Sequence, residues 1–481
     1  MSIKNRNLCM YMTMALAAAL LVPTQWSFAA TSFAKPCRNA EYVTQQVREA
    51  LGENLTQFEL RSFDIRSFVR SGARRPLNLV LPNEKNEMVK LRVSVQEFPG
   101  RVKGLTAAFL KGGGTRARTI KLPREMNFQL GKCEKRDPTC GNLAVIGKQV
   151  EGFVIDKSIG FALFEPVEML MKRHGMTRWR GDRSCHIVYN ANFHGPIPFD
   201  GDIPGDKHEH ASRSGKQGLI LTGKQVAQDL RRSLENVGNL LIEPANAMPF
   251  PTHIPITLDS DATFYSLSPS TVWSRQLSVI NSVRIIYGLF EPLTNGDWSI
   301  ILDVEGQESW LPGHGPTTTD GVDLVDEIND PGYYMIHHPG DNELSLFFVG
   351  YDVSGGTAGI AGSECNSTVY AGRWLDGIGS DAEHQRTHAW VQQVEDASGY
   401  EFSTLYGRII VATHELGHIL GSAHAEGCTG ATCCAAGLFS FMCGNSIMKS
   451  GASGGVAPDF RDPFFTPDNS AKIKTCVDAV Y

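Results

Sequence analysis

The sequence predicts an α/β fold for residues 251–481 and a mainly β domain for residues 30–204. In the second half, strand-like runs alternate with helical patterns, which is typical of α/β domains. The first half instead shows alternating β-branched and aromatic residues in runs that Gly and Pro separate. Residues 205–250 are polar and punctuated by Gly and Pro, so we expect a linker there that contains a processing site. At 481 residues the chain is long enough for two cores.

Three strand-like segments carry the prediction of a β domain. They are "LNLVLP", "VKLRVSVQEF" and "GFVIDKSIGFALFEP". Cys133 and Cys140 flank the short segment "EKRDPT" within this region. Their spacing predicts a local disulfide that staples a hairpin or a loop.

The second half begins with a predicted strand, "IPITLDS" (254–260), which is followed by an amphipathic helix over 270–290. Apolar residues recur in that helix on a helical spacing, at Val272, Leu277, Ile280 and Val283. Two further strands are predicted at "WSIILDVE" and "LSLFFVGYDV". An edge strand, "TAGIAGSEC", then leads to Cys365.

Residues 1–29 have the layout of a cleaved secretory signal peptide. Lys4 and Arg6 precede an apolar run over 8–22, and "SFA" follows at 27–29. That run is shorter than the ~20 residues that a membrane-spanning helix needs. We therefore expect export without a transmembrane anchor, to the extracellular space or, in a Gram-negative bacterium, to the periplasm.

The composition indicates a globular protein with disulfides and argues against a nucleic-acid-binding protein. Hydrophobic residues make up 42% of the chain and charged residues 20%, as in an ordinary globular protein. The net charge of -6 offers no basic surface for nucleic acid. Of 11 cysteines only Cys9 lies in the signal peptide. The even number that remains predicts disulfides rather than a cysteine zinc site, because no C-x2-C pair repeats at zinc-finger spacing.

The segment 412–428, "ATHELGHILGSAHAEGC", concentrates histidines in a predicted helix. The helix contains good helix formers and no proline, and Ser403 is its expected N-cap. His414 and His418 are four positions apart and therefore lie on one helix face. Glu415 is rotated about 100° from His414, so we expect it to reach a metal-bound water rather than the metal.

Gly421 permits the turn that ends this helix, because glycine tolerates left-handed dihedral angles. His424 then follows as a third imidazole. Three neutral imidazoles and one water are a catalytic arrangement for zinc, with the fourth position open to substrate. The pattern predicts one catalytic Zn2+ held by His414, His418 and His424, with Glu415 as general base. No loop motif supports a structural Ca2+.

The pattern H-E-x-x-H-x-x-G-x-x-H resembles the signature of the metzincin metallopeptidases. The order of "IPITLDSDATFY", "VINSVRIIYG" and "LSLFFVGYDVSGGTAGIAGSEC" resembles the reprolysin (adamalysin-like) branch. This resemblance implies a zincin-like catalytic domain with a mixed twisted sheet and an active-site helix. It also implies that residues 30–204 are a propeptide and that Met448, in "NSIMKSG", forms a methionine turn beneath the metal.

The resemblance further implies a disulfide between Cys365 and Cys476. Two departures from the family pattern concern the region after the third histidine. Ala425 stands where Asp is usual, and the cysteine near the methionine turn lies earlier than usual. The pairing of the last four cysteines therefore stays open: Cys428, Cys433, Cys434 and Cys443.

These patterns together predict a secreted, monomeric zinc endopeptidase that is made as a proenzyme and acts on proteins or peptides. We expect the strand of Gly359, Ile360 and Ala361 to bind the substrate backbone by strand addition. The alternative is a zinc-fold adhesin or toxin component, which the presence of Glu415 disfavours. A serine hydrolase at Ser453, in "GASGG", is also disfavoured because no hydrophobic strand precedes this motif.

Latency through a cysteine is not expected. Residues 186–364 contain no cysteine, and Cys185 lies well before the linker. Use of Cys185 as a zinc ligand would also leave an odd number of cysteines in an oxidising compartment. We expect a propeptide to act without a thiolate on zinc, and Arg231–Arg232 is one candidate cleavage site.

Overall fold

A computed structural model describes residues 35–195, 252–361, 388–394, 403–422, 447–448 and 465–480, with short gaps within the first two ranges. The signal peptide, the linker, His424, Ser453 and five of the cysteines predicted to form disulfides lie outside the described residues. Within the described part, no helix is both long and apolar enough to cross a membrane.

Among its described residues the first half contains twelve strands, two α-helices and two short 3-10 helices, Gly52–Asn54 and Ala191–Phe193. The strands are β1 (Lys35–Pro36), β2 (Glu59–Ser62), β3 (Leu77–Pro82), β4 (Met88–Val93), β5 (Val95–Glu97), β6 (Thr106–Lys111), β7 (Thr115–Lys121), β8 (Met126–Gly131), β9 (Cys140–Ile146), β10 (Gln149–Asp156), β11 (Gly160–Pro166) and β12 (Cys185–Asn190). The helices are α1 (Ala40–Leu51) and α2 (Val167–Arg173). The prediction of a mainly β region is confirmed, and the three quoted segments form β3, β4 with β5, and β10 with β11.

Helices α1 and α2 were not predicted, since the whole region was interpreted as strands. The signal for α1 is present in the sequence, because Val43, Val47 and Leu51 recur every four residues and are buried. Helix α2 spans only seven residues and starts directly after β11 at Pro166, so its pattern is too short to recognise.

Eight of these strands form an antiparallel sheet in the order β1-β2-β12-β11-β10-β9-β8-β5, which we call the N-terminal sheet. Both faces of its central strands are buried. Val154 and Phe164 pack with Leu79 of the β3–β4 hairpin on one face. Phe153 and Leu163 lie on the other face and belong to the main core of the molecule. The near-continuous apolar runs of β10 and β11 reflect this burial on two sides.

The second half alternates strands and helices, as predicted. The strands are β13 (Thr252–Ser260), β14 (Ile300–Trp310), β15 (Leu344–Val349), β16 (Gly359–Ala361) and β17 (His388–Gln392). The helices are α3 (Ala262–Leu267), α4 (Val272–Gly288), α5 (Gly321–Ile328), α6 (Leu405–Ile419) and α7 (Pro467–Val480). The mixed α/β character is therefore confirmed.

A second sheet, the C-terminal sheet, has the order β16-β17-β15-β13-β14-β6-β7. Strands β17, β15, β13, β14 and β6 are parallel. The short β16 lies at the edge, as the sequence predicted, and pairs antiparallel with β17. The opposite edge comes from the first half of the chain. Strand β6 pairs with β14, with Ala107 opposite Gln307, and β7 follows it in a hairpin. The two halves thus share one sheet.

Helices α4 and α6 lie between the two sheets. Helix α4 contacts β9 and β10 on one side and β14 on the other, while α6 contacts β11, β16 and β17. The expectation that α4 is amphipathic was wrong, because nearly every residue from Val272 to Tyr287 is buried. The N-terminal sheet covers the helix face that would otherwise meet water, and Asn142 in β9 donates to Ser282 at 3.1 Å.

Two disulfides are complete within the described residues. Cys133 bonds to Cys140, as predicted. Cys185 bonds to Cys37, so it carries no thiol for zinc, in agreement with the expectation for latency. Cys476 is also disulfide-bonded, and its partner lies outside the described residues.

Candidate metal centre

Helix α6 carries the predicted site residues, and it begins one residue later than expected. Thr404, not Ser403, is the N-cap, since its hydroxyl accepts a hydrogen bond from the backbone N–H of Gly407 at 3.1 Å. The hydroxyl of Ser403 instead contacts Nε2 of His174 at 3.2 Å. The hydroxyl of Thr404 also lies 2.8 Å from Nε2 of His194, so both adjacent hydroxyl residues contact a histidine of the first half.

Helix α6 ends as the sequence predicted. Gly421 has a φ of 85°, and its N–H donates to the carbonyl of His418 at 2.9 Å. The next N–H, of Ser422, donates to the carbonyl of Gly417 at 2.9 Å. A residue with a side chain would be strained at Gly421, so glycine is required for this turn.

The side chains of His414 and His418 direct their Nε2 atoms at the same point. Their Nε2 atoms are 2.9 Å apart, and their ring centroids are 4.6 Å apart with the rings nearly perpendicular. His414 is buried, and His418 is half-buried at the end of the helix. The four-residue spacing therefore brings two imidazole nitrogens together as expected.

The other ring nitrogens determine the tautomers. Nδ1 of His414 lies 2.7 Å from the carbonyl oxygen of Ile447, and Nδ1 of His418 lies 2.9 Å from that of Ser422. A carbonyl oxygen only accepts hydrogen bonds, so each Nδ1 must carry the hydrogen. In the neutral rings both Nε2 atoms then present a lone pair, and the two lone pairs face each other. Such a contact is stable only with a cation between the rings, either a proton or a metal ion.

This donor set fits zinc. Zinc–nitrogen bonds of about 2.0–2.1 Å in a tetrahedral site hold two ligand nitrogens about 3.3 Å apart. The Nε2 separation of 2.9 Å is within a few tenths of an ångström of that value. Zinc-bound histidines also commonly donate their second N–H to a backbone carbonyl, which fixes the ring and raises its basicity. The described residues contain no group of three or more His, Cys, Asp or Glu side chains that could hold a metal. The predicted third ligand, His424, lies outside these residues.

Glu415 is buried and lies against the edge strand β16. A Cβ atom placed on Gly359 would be 2.8 Å from Cγ and 3.1 Å from Cδ of Glu415. Any side chain at Gly359 would therefore collide with the glutamate. The carbonyl oxygen of Trp390 would be nearer still, at 2.7 Å, so both neighbours require glycine here. The backbone of β16 thus lies beside the predicted general base.

Met448 is buried and packs against α6 at Gly417. A Cβ atom on Gly417 would lie 2.6 Å from its sulfur, so only glycine lets the methionine approach α6 this closely. The neighbouring Ile447 supplies the carbonyl that binds His414. The sequence pointed to Met448 but missed the roles of Gly417, Ile447 and Ser422. No residue type marks a backbone carbonyl as a partner, so sequence reasoning could not have found the last two.

The first turn of α6 is enclosed by the first half of the chain. The backbone N–H of Leu405 donates to Glu165 at 2.9 Å, and that of Tyr406 donates to the hydroxyl of Tyr189 at 3.2 Å. Helices leave their first N–H groups without intrahelical partners. Together with the N-cap, these side chains supply an acceptor for each of the first three N–H groups of the helix. The glutamate also places a negative charge at the positive end of the helix dipole.

Two carboxylates and two guanidinium groups lie next to these contacts and are almost fully buried. Arg408 of α6 donates to both oxygens of Glu151, at 3.3 and 3.1 Å. Arg173 donates to Glu165 at 3.0 Å. Burial works to raise the pKa of Glu151, but attraction to Arg408 and Arg173 outweighs it, so the pKa is lowered and the carboxylate stays charged. The sequence analysis did not anticipate this cluster.

Models of known protein families give no match to this chain, and no curated protein matches it significantly. The resemblance to metzincins therefore depends on the motif and the element order of the chain itself.

Proposed function

We propose that the protein is an exported zinc-dependent endopeptidase of the metzincin type, in the reprolysin branch. The observation that carries the proposal is the pair of facing Nε2 atoms of His414 and His418, whose Nδ1 atoms are both committed to backbone carbonyls. That arrangement leaves two lone pairs directed at one point, as a metal site requires. The paired cysteines are in keeping with an oxidising compartment.

In the proposed site His414, His418 and His424 hold the metal. When bound there, zinc lowers the pKa of a water molecule and polarises the carbonyl of the scissile bond. Glu415 accepts the proton of the attacking water and delivers it to the leaving amine. Its burial beside β16 keeps the carboxylate close to the backbone that a substrate would follow.

Strand β16 is the proposed substrate platform. It is the edge of the C-terminal sheet and pairs on one side only among the described strands. An extended peptide can add to such an edge through backbone hydrogen bonds, which suits cleavage within a polypeptide rather than at its end. The proximity of Gly359 to Glu415 would bring the peptide bond next to the general base.

The variant Glu415→Gln tests the mechanism. Glutamine has nearly the same shape and helix propensity, but it cannot accept the proton. We expect the variant to retain zinc. Its rate of hydrolysis should fall by ~10^2- to 10^4-fold or more, because a general base contributes a factor in that range. Zinc content would be measured by elemental analysis, and activity on an unstructured protein substrate.

Glu305→Gln, at an exposed position of β14, is the matched control and should leave both quantities unchanged. A Glu415→Gln protein with normal zinc and near wild-type turnover would disprove the assigned role. Wild-type protein that binds zinc but cleaves nothing in a broad peptide library would refute the proposal of a peptidase.

A further inference from the structure

The sequence resemblance implies that residues 30–204 are a removable propeptide, but their described contacts are those of a permanent part of the fold. We propose that the N-terminal half, residues 35–195, remains bound after any cleavage of the linker, because it caps and braces helix α6. The inference depends on packing and not on the proposed peptidase activity.

The first argument is hydrogen bonding at the start of α6. The acceptors for the N–H groups of Leu405 and Tyr406 are Glu165 and Tyr189, which belong to the N-terminal sheet. Removal of that sheet would leave two backbone donors at the end of a buried helix without their acceptors. Water would replace these acceptors at the exposed helix end, so separation would lose the net free energy of two ordinary intramolecular hydrogen bonds.

The second argument is charge. Arg408 is buried on α6, and its carboxylate partners Glu151 and Glu165 both come from the N-terminal sheet. Burial works to lower the pKa of Arg408, but attraction to these two carboxylates outweighs it and raises the pKa. Without the sheet, the guanidinium would face an exposed apolar surface with neither counterion. Separation would therefore break two ion pairs that form only where the two halves meet, and the charges of Arg408, Glu151 and Glu165 are complementary only while the halves stay together.

The third argument is the shared core. Residues from both halves form one hydrophobic cluster, in which Phe153 and Leu163 of the N-terminal sheet join Ile280 of α4 and Ile409 of α6. Strand β6 also completes the C-terminal sheet at β14. Separation of the halves would expose both surfaces of a domain core, which is unlike the release of a segment that only covers a cleft.

The association would be non-covalent. The two disulfides of the N-terminal half, Cys37–Cys185 and Cys133–Cys140, close within that half. A cut in the linker would therefore give a two-chain protein held together by packing, hydrogen bonds and ion pairs.

The main test uses the full chain with a recognition site for a site-specific protease inserted into residues 205–250. After complete cleavage, we expect both fragments to co-elute at the mass of the intact protein in native buffer. They should separate in denaturant without reductant, and the cut protein should unfold in one transition near the intact Tm. Fragments that separate in native buffer, with a C-terminal fragment that keeps the intact Tm, would overturn the proposal.

A second test examines the capping directly. Tyr189→Phe removes the hydroxyl that accepts from Tyr406 and donates to Glu165 at 3.0 Å, while the ring stays in place, so the protein should fold. We expect hydrogen exchange of the Tyr406 amide to accelerate about fivefold, the effect of losing one ordinary hydrogen bond. Tyr42→Phe, at a half-exposed position of α1, is the matched control and should change nothing at α6. Unchanged exchange at Tyr406 in Tyr189→Phe would contradict the capping role. Neither test measures zinc binding or peptidase activity. A negative result would therefore count against the association of the two halves and not against the proposed function.

Discussion

The two ends of helix α6 both concentrate ionisable side chains, yet they are built in opposite ways. At the first turn, each of two carboxylates contacts both of two guanidinium groups, so opposite charges face each other. At the last turn, the Nε2 atoms of His414 and His418 direct their lone pairs toward each other. Burial of ionisable groups alone therefore does not identify a functional site. The balance of donors and acceptors distinguishes the two ends, and the facing lone pairs of the histidines are the reason that we propose a cation there.

The largest expected effect is at the histidine end. His414→Ala removes one of the two facing nitrogens, and we expect zinc affinity to fall by more than the roughly 10- to 100-fold that loss of an outer-shell partner costs. Hydrolysis should fall with it. His253→Ala is the control, since this half-exposed histidine contacts only Asp303 among its described bonds. Zinc titration followed by activity measurement distinguishes the two variants, and equal zinc affinity in both would remove the basis for the metal site.

The next effect is at the first turn. Arg408→Met leaves buried carboxylates short of a counterion, and breaking such a pair costs about 3–5 kcal/mol in the free energy of unfolding. Lys172→Met breaks an exposed pair with Glu168 at 3.0 Å, for which about 0.5 kcal/mol or less is expected. Urea denaturation of the chelator-treated proteins measures both. Similar stability of the two variants would show that the charge cluster does not brace the helix.

The smallest expected effect concerns His186, a buried histidine that belongs neither to the histidine pair nor to the charge cluster of α6. Its Nδ1 lies 2.8 Å from the carbonyl of Ser184, and Nε2 accepts from the N–H of Val150 at 3.5 Å. Both ring nitrogens therefore have protein partners in the neutral form. Burial lowers its pKa from 6.5 to about 4, although the backbone contacts and the charges of Asp182 and Glu151 oppose the shift.

The sign of the pH dependence follows from that pKa. Between pH 6.5 and about 4 the unfolded state binds the proton and the folded state does not. The stabilising contribution of His186 is therefore complete above pH 6.5 and is lost as the pH falls toward 4, by at most about 3 kcal/mol. Unfolding free energies of wild type and His186→Asn should converge across this window. Parallel curves from pH 7 to 4.5 would contradict the assignment of a neutral buried ring.

The sequence by itself determined the features that depend on residues only a few positions apart. The interval of four residues directs His414 and His418 to one point, and Gly421 adopts the positive φ that ends the helix. The nearby Cys133 and Cys140 form a local disulfide. The strands at β3, β10 and β11 follow from alternation and turn residues. Helical period, strand alternation and glycine conformation are local properties, so they can be recognised without knowledge of the fold.

Only the tertiary structure decided the environment of these elements. Helix α4 is buried on all sides, and Glu165 caps a helix that begins 240 positions later. The β6 strand leaves its own half to extend the C-terminal sheet, and Cys185 finds Cys37 across a separation of 148 residues. Each of these depends on which surfaces meet when distant segments pack. A residue pattern shows that a face must be buried, but it does not show what buries it.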